Sequence, residues 1–181
     1  MNRADVLGLL RAHSAMALDA DEAEMTADTI RFVEAHANCF LRSCLTGHLT
    51  GSAWVVDPAR RQVVLTHHRK LDRWLQLGGH ADGDPDLLAV ALREAKEESG
   101  LTRLRPLSKA PFDVDRHRIP ARGVVAEHWH YDLRFLFEAD PAEPLVVSHE
   151  SHDLAWVPLA DVVRLNPTES MLRMVRKTLP R

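Results

Sequence analysis

Apolar residues recur at helical spacing over the first forty positions of the chain. Val6, Leu9, Leu10, His13 and Ala17 form one stripe, and Met25, Thr29, Phe32, Val33 and His36 form another. The acidic stretch "DADEAE" between them reads as a break between two helices. Both stripes predict packing against the body of the domain, with a homodimer contact as the second use for such a face.

From Leu45 the period shortens to two. "GHLTGSAWVVD" and "RQVVLTHHRK" flank the turn signal "DPAR" and predict a β-hairpin. His48, Thr50 and Ser52 alternate onto one face of its first strand, which predicts a solvated side. "RWLQL" then leads to Gly78–Gly79 and a long helix, with Asp84 as its N-cap, Pro85 in its first position and Ser99–Gly100 as its stop. Leu88, Ala91, Leu92 and Ala95 predict the core-facing stripe of that helix. "PFDVDRHRI" and "EHWHYDLRFLFEAD", joined by "PARGVVA", predict a second and longer hairpin. "DLAWVPLADVVRL" reads as a strand followed by a short helix, and a final helix closes the chain. No repeat, low-complexity tract or long linker divides it. The expectation is one domain over residues 1–181: a helical extension over 1–40, a core over 45–165 and a C-terminal helix over 166–181.

Composition narrows the class. Hydrophobic residues at 45% and charged residues at 27% are ordinary for a soluble globular chain. A formal net charge of -3 gives no electrostatic reason to expect nucleic acid as a partner. No apolar run reaches membrane-spanning length, and the N-terminus lacks the continuous apolar core of a signal peptide. Cys39 and Cys44 lack CxxC spacing and read as free thiols of a reducing compartment. A cytoplasmic enzyme or binding protein, with no membrane partner, is the expected class.

The chemistry concentrates in the long helix. Glu94, Glu97 and Glu98 lie three and four residues apart and share one side of it. Like charges at that spacing destabilise a helix by roughly 0.2–0.5 kcal/mol per pair. One reading is a solvated face in which the glutamates pair with Arg93 and Lys96. The other is a site for a hard cation such as Mg²⁺, which takes oxygen ligands and would offset the repulsion. The glycine turn before the helix and Gly100 after it favour the second.

The stretch "GGHADGDPDLLAVALREAKEESGL" resembles the Nudix box. Gly79 opens the box, and "REAKEESGL", Arg93 to Leu101, matches its remainder residue for residue. The box's first glutamate is replaced by Pro85, between Asp84 and Asp86. The resemblance implies an α/β fold, a Nudix-type α-β-α sandwich with a mixed β-sheet, here with the helical N-terminal extension added. It implies Mg²⁺-dependent attack of water on a diphosphate linkage, with Mn²⁺ as a substitute cation. The implied substrate is a small-molecule nucleoside diphosphate derivative. Nucleotide sugars, ADP-ribose, dinucleotides and damaged nucleoside triphosphates all fit the resemblance. The helical N-terminus favours a diphosphate-linked one, a nucleotide sugar or an ADP-ribose-like molecule. By position Glu94, Glu97, Glu98 and the Gly79 carbonyl would hold the metal, and Arg93 would orient the glutamates. The family often draws a further glutamate from the loop before the "WVPL" strand. Here that is Glu150, and Glu150 and Glu97 are the candidate bases.

Outside the box, His128, His130 and Asp132 alternate along one strand and share a face, and His117 on the preceding strand could join them. The set suits contact with substrate phosphate or sugar, or a transition metal, or an ordinary polar strand face. His80 beside the box glycine, and Arg69 in "HHRK", complete the candidate substrate contacts. Two other classes share the fold. A non-catalytic nucleotide sensor often loses box glutamates, which are present here. An isoprenoid diphosphate isomerase needs a cysteine near the glycine turn, where this chain reads "QLGGH".

Overall fold

The computed structural model describes residues 1–16 and 18–179, so Ala17 and the last two positions lie outside the described residues. Helices α1 (Arg3–Ser14) and α2 (Ala20–Ala35) open the chain. Strands β1 (Gly47–Val56), β2 (Gln62–His68), β3 (Arg73–Leu75) and β4 (Leu77–His80) follow, then helix α3 (Leu87–Ser99). Strands β5 (Arg105–Pro106), β6 (Asp113–Ile119), β7 (His128–Glu138) and β8 (Ser151–Pro158) precede a 3₁₀ turn, a short α4 (Val162–Leu165) and α5 (Glu169–Thr178). The fold is α/β, with a mixed sheet in which β3-β2-β1-β7-β5 is the main order. β4 pairs with β1, β6 with β7 and β8 with β2.

These residues group into two compact units. One comprises Met1–Gly51, Gly79–Val90 and Ser108–Phe135, and the other Ser52–Gly78, Ala91–Leu107 and Leu136–Arg181. The N-terminal helices belong to the first. Asn2 caps α1, its side-chain oxygen accepting the Ala4 N–H at 2.8 Å while the Asp5 carboxylate accepts the Asn2 N–H at 2.7 Å. Asp19 caps α2 by accepting the Glu22 N–H at 2.8 Å. The "DADEAE" stretch is therefore the cap and first turn of α2 rather than a break, because carboxylates complement the unpaired N–H groups of a helix start. Val6, Leu10 and His13 of the first expected stripe are buried, as are Thr29, Phe32 and Val33 of the second. Phe32 stacks on Tyr131 of β7 with ring centroids 4.0 Å apart. A buried polar link accompanies this apolar contact. His13 Nε2 lies 2.8 Å from Glu22 Oε1, which also accepts the Val114 N–H of β6 at 3.2 Å.

The β6–β7 hairpin carries a buried charge cluster. Arg134 Nε donates to Asp132 at 2.9 Å, its Nη2 to Asp115 at 2.9 Å and its Nη1 to Asp113 at 3.2 Å. The hairpin register aligns Asp113 with Arg134 and Asp115 with Asp132, which places the four side chains on one face. Burial alone would lower the guanidinium pKa, but Asp115, Asp132 and Asp113 more than reverse that and hold it protonated. Thr50 of β1 donates to the remaining Asp132 oxygen at 2.8 Å.

In the second unit, β2 carries β3 on one register and β8 on another, both antiparallel. Trp54 of β1 is fully buried and donates to the Thr178 hydroxyl of α5 at 2.8 Å. Helix α5 runs from Glu169 to Thr178, and the last two positions of the helix expected over 166–181 lie outside the described residues. Helix α3 starts at Leu87, two residues later than its sequence predicts. Asp86 does the capping, accepting the Ala89 N–H at 3.1 Å, while Asp84 accepts the Asp86 N–H at 2.9 Å in the turn before it. The buried side of α3 is Leu87, Val90, Ala91, Ala95 and Glu98, whereas Leu88 and Leu92 of the expected stripe are half-buried. Gly100 ends the helix as expected, at φ +72° with its N–H on the Lys96 carbonyl at 2.9 Å.

Arg134→Leu should therefore cost about 3–5 kcal/mol of folding stability, because it leaves buried carboxylates without their counter-charge. Denaturant unfolding of the variant checks this. A loss under 1 kcal/mol would mean that Asp113, Asp115 and Asp132 need no guanidinium between them.

Candidate functional site

The acidic edge of α3 is anchored by one backbone group. Glu98 accepts the Gly78 N–H on Oε2 at 2.9 Å and is only 8% exposed. Gly78 can approach because it has no side chain: a Cβ there would lie 2.4 Å from Ser52 Oγ and 2.7 Å from Ser52 Cα. Burial pushes the Glu98 carboxyl up to about 7. The Gly78 N–H opposes that shift, and the negative charges of Glu94, Glu150 and Glu97 add to it. Glu94 is half-buried and is raised for the same reason, against the pull of Arg93, whose Nη2 donates to its Oε1 at 3.0 Å. Glu97 faces solvent. Arg93 thus holds Glu94.

A β-bulge brings the loop residues up beside that edge. Between His67 and His68 the register of β2 against β8 shifts. Arg69 then reaches back, its N–H on the Glu150 carbonyl and its Nη2 on the Ser151 carbonyl, each at 2.9 Å. The Glu150 carboxylate stands half-exposed at the start of β8, 3.8 Å from His149 Nε2. Its charge is felt at Glu94, Glu98 and His68 alike. The structure therefore brings Glu94, Glu97, Glu98 and Glu150 into one electrostatic group, with Arg69 at its margin.

A different constellation forms in the first unit. His48 of β1, His80 of β4, His117 of β6, and His128 and His130 of β7 gather as a nest of imidazoles. His48 has ring centroids of His80, His128 and His130 at 4.8–5.0 Å. His130 has those of His80 at 4.9 Å, His128 at 5.2 Å and His117 at 5.3 Å. Burial lowers the His48 pKa to about 4, helped by His80 and His128. It lowers His130 to about 2, helped by His117, His80, His48 and His128. Both rings are neutral at physiological pH. Among the described residues, one group of three offers ligand atoms all within 4.8 Å of one another, and it is His48, His128 and His130.

Two expectations change here. The face of β1 read as solvated is buried, with His48 at 4% exposure and Thr50 and Ser52 close to it, because β1 lies inside the sheet between β2 and β7. His48 joins the site residues through that burial, which its alternation with Thr50 does not signal. Asp132 is not available to a substrate. It is 1% exposed and has both oxygens engaged by Thr50 and Arg134. Gly79 and His80 are the last two residues of β4 and fall in the first unit.

A family model described as the NUDIX domain matches residues 48–177. Among solved structures, the chain is similar to an Ap4A hydrolase binary complex from C. elegans at 20% identity, covering 71% of this chain and 93% of that one with a TM-score of 0.58. It is similar to a Nudix hydrolase from M. smegmatis, RenU, at 21% identity, covering 75% and 89% with a TM-score of 0.54. The dihydroneopterin triphosphate pyrophosphohydrolase of E. coli is 15% identical over 71% and 92%, also at 0.54. No curated protein matches the chain.

Gly78→Ala should lower stability by about 1–3 kcal/mol, the usual cost of forcing an extra carbon into packed space. Thermal unfolding measures it. A melting temperature equal to the parent's would show that Ser52 gives way freely and that Gly78 is not a constraint on Glu98.

Proposed function

The chain belongs to the NUDIX domain family, and from that premise we propose that it is a divalent-cation-dependent pyrophosphohydrolase cleaving a diphosphate linkage in a nucleoside diphosphate derivative. The observation that carries this reading is the clustered carboxylate edge of α3, with Glu98 buried and its pKa displaced to about 7 by burial and by its acidic neighbours. A protein gains nothing in stability from that arrangement alone. A hard dication reverses the balance, since a nearby positive charge favours the ionised carboxylate.

The donor set fits such an ion. Mg²⁺ takes oxygen ligands, keeps several waters and is completed by substrate phosphates, so it does not require carboxylates closed around a point. Glu94, Glu97 and Glu98 would hold it, and Mn²⁺ would serve in its place. When bound it polarises phosphoryl oxygens and neutralises the charge that develops on them.

The chain's own groups do the rest. The Gly78 N–H fixes the orientation of Glu98, and Arg93 fixes Glu94. Arg69, anchored through its N–H and Nη2, presents further positive charge for a phosphate. Glu150 accepts the proton of the attacking water. A carboxylate committed to a cation is a poor proton acceptor, whereas the Glu150 side chain is half-exposed on a loop. Glu97 is the next base in line.

A diphosphate-linked substrate, a nucleotide sugar or an ADP-ribose-like molecule, is the favoured class. Helices α1 and α2 add protein that a compact triphosphate does not need. The neighbours' names, an Ap4A hydrolase and a dihydroneopterin triphosphate pyrophosphohydrolase, share the phosphoric anhydride and differ in what it joins. A cytoplasmic location belongs to the same reading. It is supported by the two buried free thiols, Cys39 and Cys44, and no helix among the described residues is long and apolar enough to cross a membrane.

The test is a panel of nucleotide sugars, ADP-ribose and nucleoside triphosphates with Mg²⁺, with products identified by mass spectrometry. Cleavage of the diphosphate-linked members into two phosphorylated fragments is expected. Glu98→Gln should nearly abolish that turnover while the protein stays folded, and full activity in the variant would remove the acidic edge from the mechanism. Glu150→Gln should lower kcat by about 10²–10⁴-fold, the usual contribution of a general base, with little change in KM. A variant within a few-fold of the parent across the pH profile would hand the role to Glu97.

A further inference from the structure

We propose that His48, His128 and His130 form a binding site for a transition-metal dication, Zn²⁺ in the first place, built without any of the α3 glutamates. One ligand atom from each ring lies within 4.8 Å of the other two. A tetrahedral zinc with Zn–N bonds of about 2.0–2.1 Å needs those nitrogens roughly 3.4 Å apart. Ligation would draw the three nitrogens together to that spacing.

Unsatisfied ring nitrogens point the same way. Both nitrogens of His48 and Nε2 of His130 are buried with no hydrogen-bond partner. A neutral imidazole carries one donor and one lone pair, and a buried polar group left unpaired is costly. A metal takes up the lone pairs of both rings at once. His128 shows the tautomer that ligation requires. Its Nδ1 lies 2.9 Å from the Ala126 carbonyl, which can only accept, so Nδ1 carries the proton and Nε2 keeps its lone pair. A backbone carbonyl holding the far nitrogen is a common way for proteins to orient a histidine ligand.

His128 and His130 are two residues apart on β7 and share a face, and β1 is the neighbouring strand. His80 and His117 stand next to the trio as candidates for the fourth position, and His117 Nδ1 lies 3.4 Å from the Asp115 carboxylate. An all-imidazole set suits Zn²⁺, Cu²⁺ or Ni²⁺ rather than Mg²⁺. The competing reading is a phosphate contact. A neutral imidazole can give an anion only one N–H. Balancing a phosphate's charge would take several imidazoliums packed at these separations in a buried nest, which is unfavourable on both desolvation and repulsion.

The experiment uses the full chain, stripped of metal and titrated with Zn²⁺ in the presence of excess Mg²⁺, followed by calorimetry and by metal analysis after gel filtration. One equivalent of zinc should be retained by the parent and by Glu98→Gln. His128→Ala and His130→Ala should weaken binding at least tenfold. Co²⁺ loading should give the intense visible bands of a low-coordinate nitrogen site in the parent and lose them in the variants. His128 is only half-buried, so its variant decides the matter should His130→Ala fail to fold. Unchanged zinc stoichiometry and affinity in folded His128→Ala would overturn the proposal. So would loss of zinc in Glu98→Gln, which would place the ion on the carboxylates. Failure to retain zinc, together with inorganic phosphate binding abolished in the histidine variants, would overturn it in favour of an anion site. None of these readouts uses substrate, so they stand apart from the turnover assays of the hydrolase reading.

Discussion

Desolvation of charged and titratable groups is the constraint around which both parts of this protein are arranged. The first unit buries a set of carboxylates together, and the second buries one carboxylate beside others that stay nearer water. In the first, three aspartates are drawn around Arg134, and the guanidinium makes their burial tolerable through charge-assisted bonds of 2.9–3.2 Å. In the second, Glu98 is carried into the protein with one backbone N–H for company and acidic neighbours beyond it. The first set is closed electrostatically by the chain itself. The second is not, and the difference between structural and functional charge in this fold lies there.

The route from sequence to the acidic edge passes through two glycines with different duties. Gly100 supplies a left-handed helix end and has a general structural role. Gly78 is needed for proximity: without it Ser52 and the turn could not lie as close, and the N–H would not reach Glu98. Periodicity alone placed Glu94, Glu97 and Glu98 on one side of a helix. It did not distinguish the buried Glu98 from the solvent-facing Glu97, because the boundary of the buried face depends on where the helix starts. Asp86, not Asp84, caps α3, and the buried face accordingly runs through Leu87, Val90 and Ala91.

Strand pairing was legible for the same reason that strand burial was not. The turn signals at "DPAR" and "PARGVVA" identify hairpins from local chemistry, and both formed with the expected partners. Whether the polar face of β1 meets water depends on what lies beside it in the sheet, which no local pattern encodes. All ten residues of β1 are buried. The alternation of His48, Thr50 and Ser52 suggests a solvated face, but in a central strand it means the opposite: polar groups recruited to meet other buried polar groups. Thr50 has Asp132, and His48 has a ring of imidazoles.

The pattern His128, His130, Asp132, Arg134 along β7 shows how one strand face can change its chemistry within a few residues. Alternation sets all four side chains on the same side of the sheet. Read as far as Asp132, the pattern is a mixed nitrogen and oxygen ligand set. One alternation further, Arg134 changes that reading, because its Nε takes an Asp132 oxygen and its terminal nitrogens take Asp113 and Asp115. A carboxylate bonded at both oxygens and neutralised by a buried guanidinium has little to offer a metal or a phosphate. The histidines have no such partner on their own strand, and burial together with the neighbouring imidazoles disfavours a charge on His130. The same desolvation that makes Asp132 dependent on Arg134 therefore leaves His130 with a lone pair. On a strand, the residue two positions beyond a polar pair decides whether that pair is structure or site.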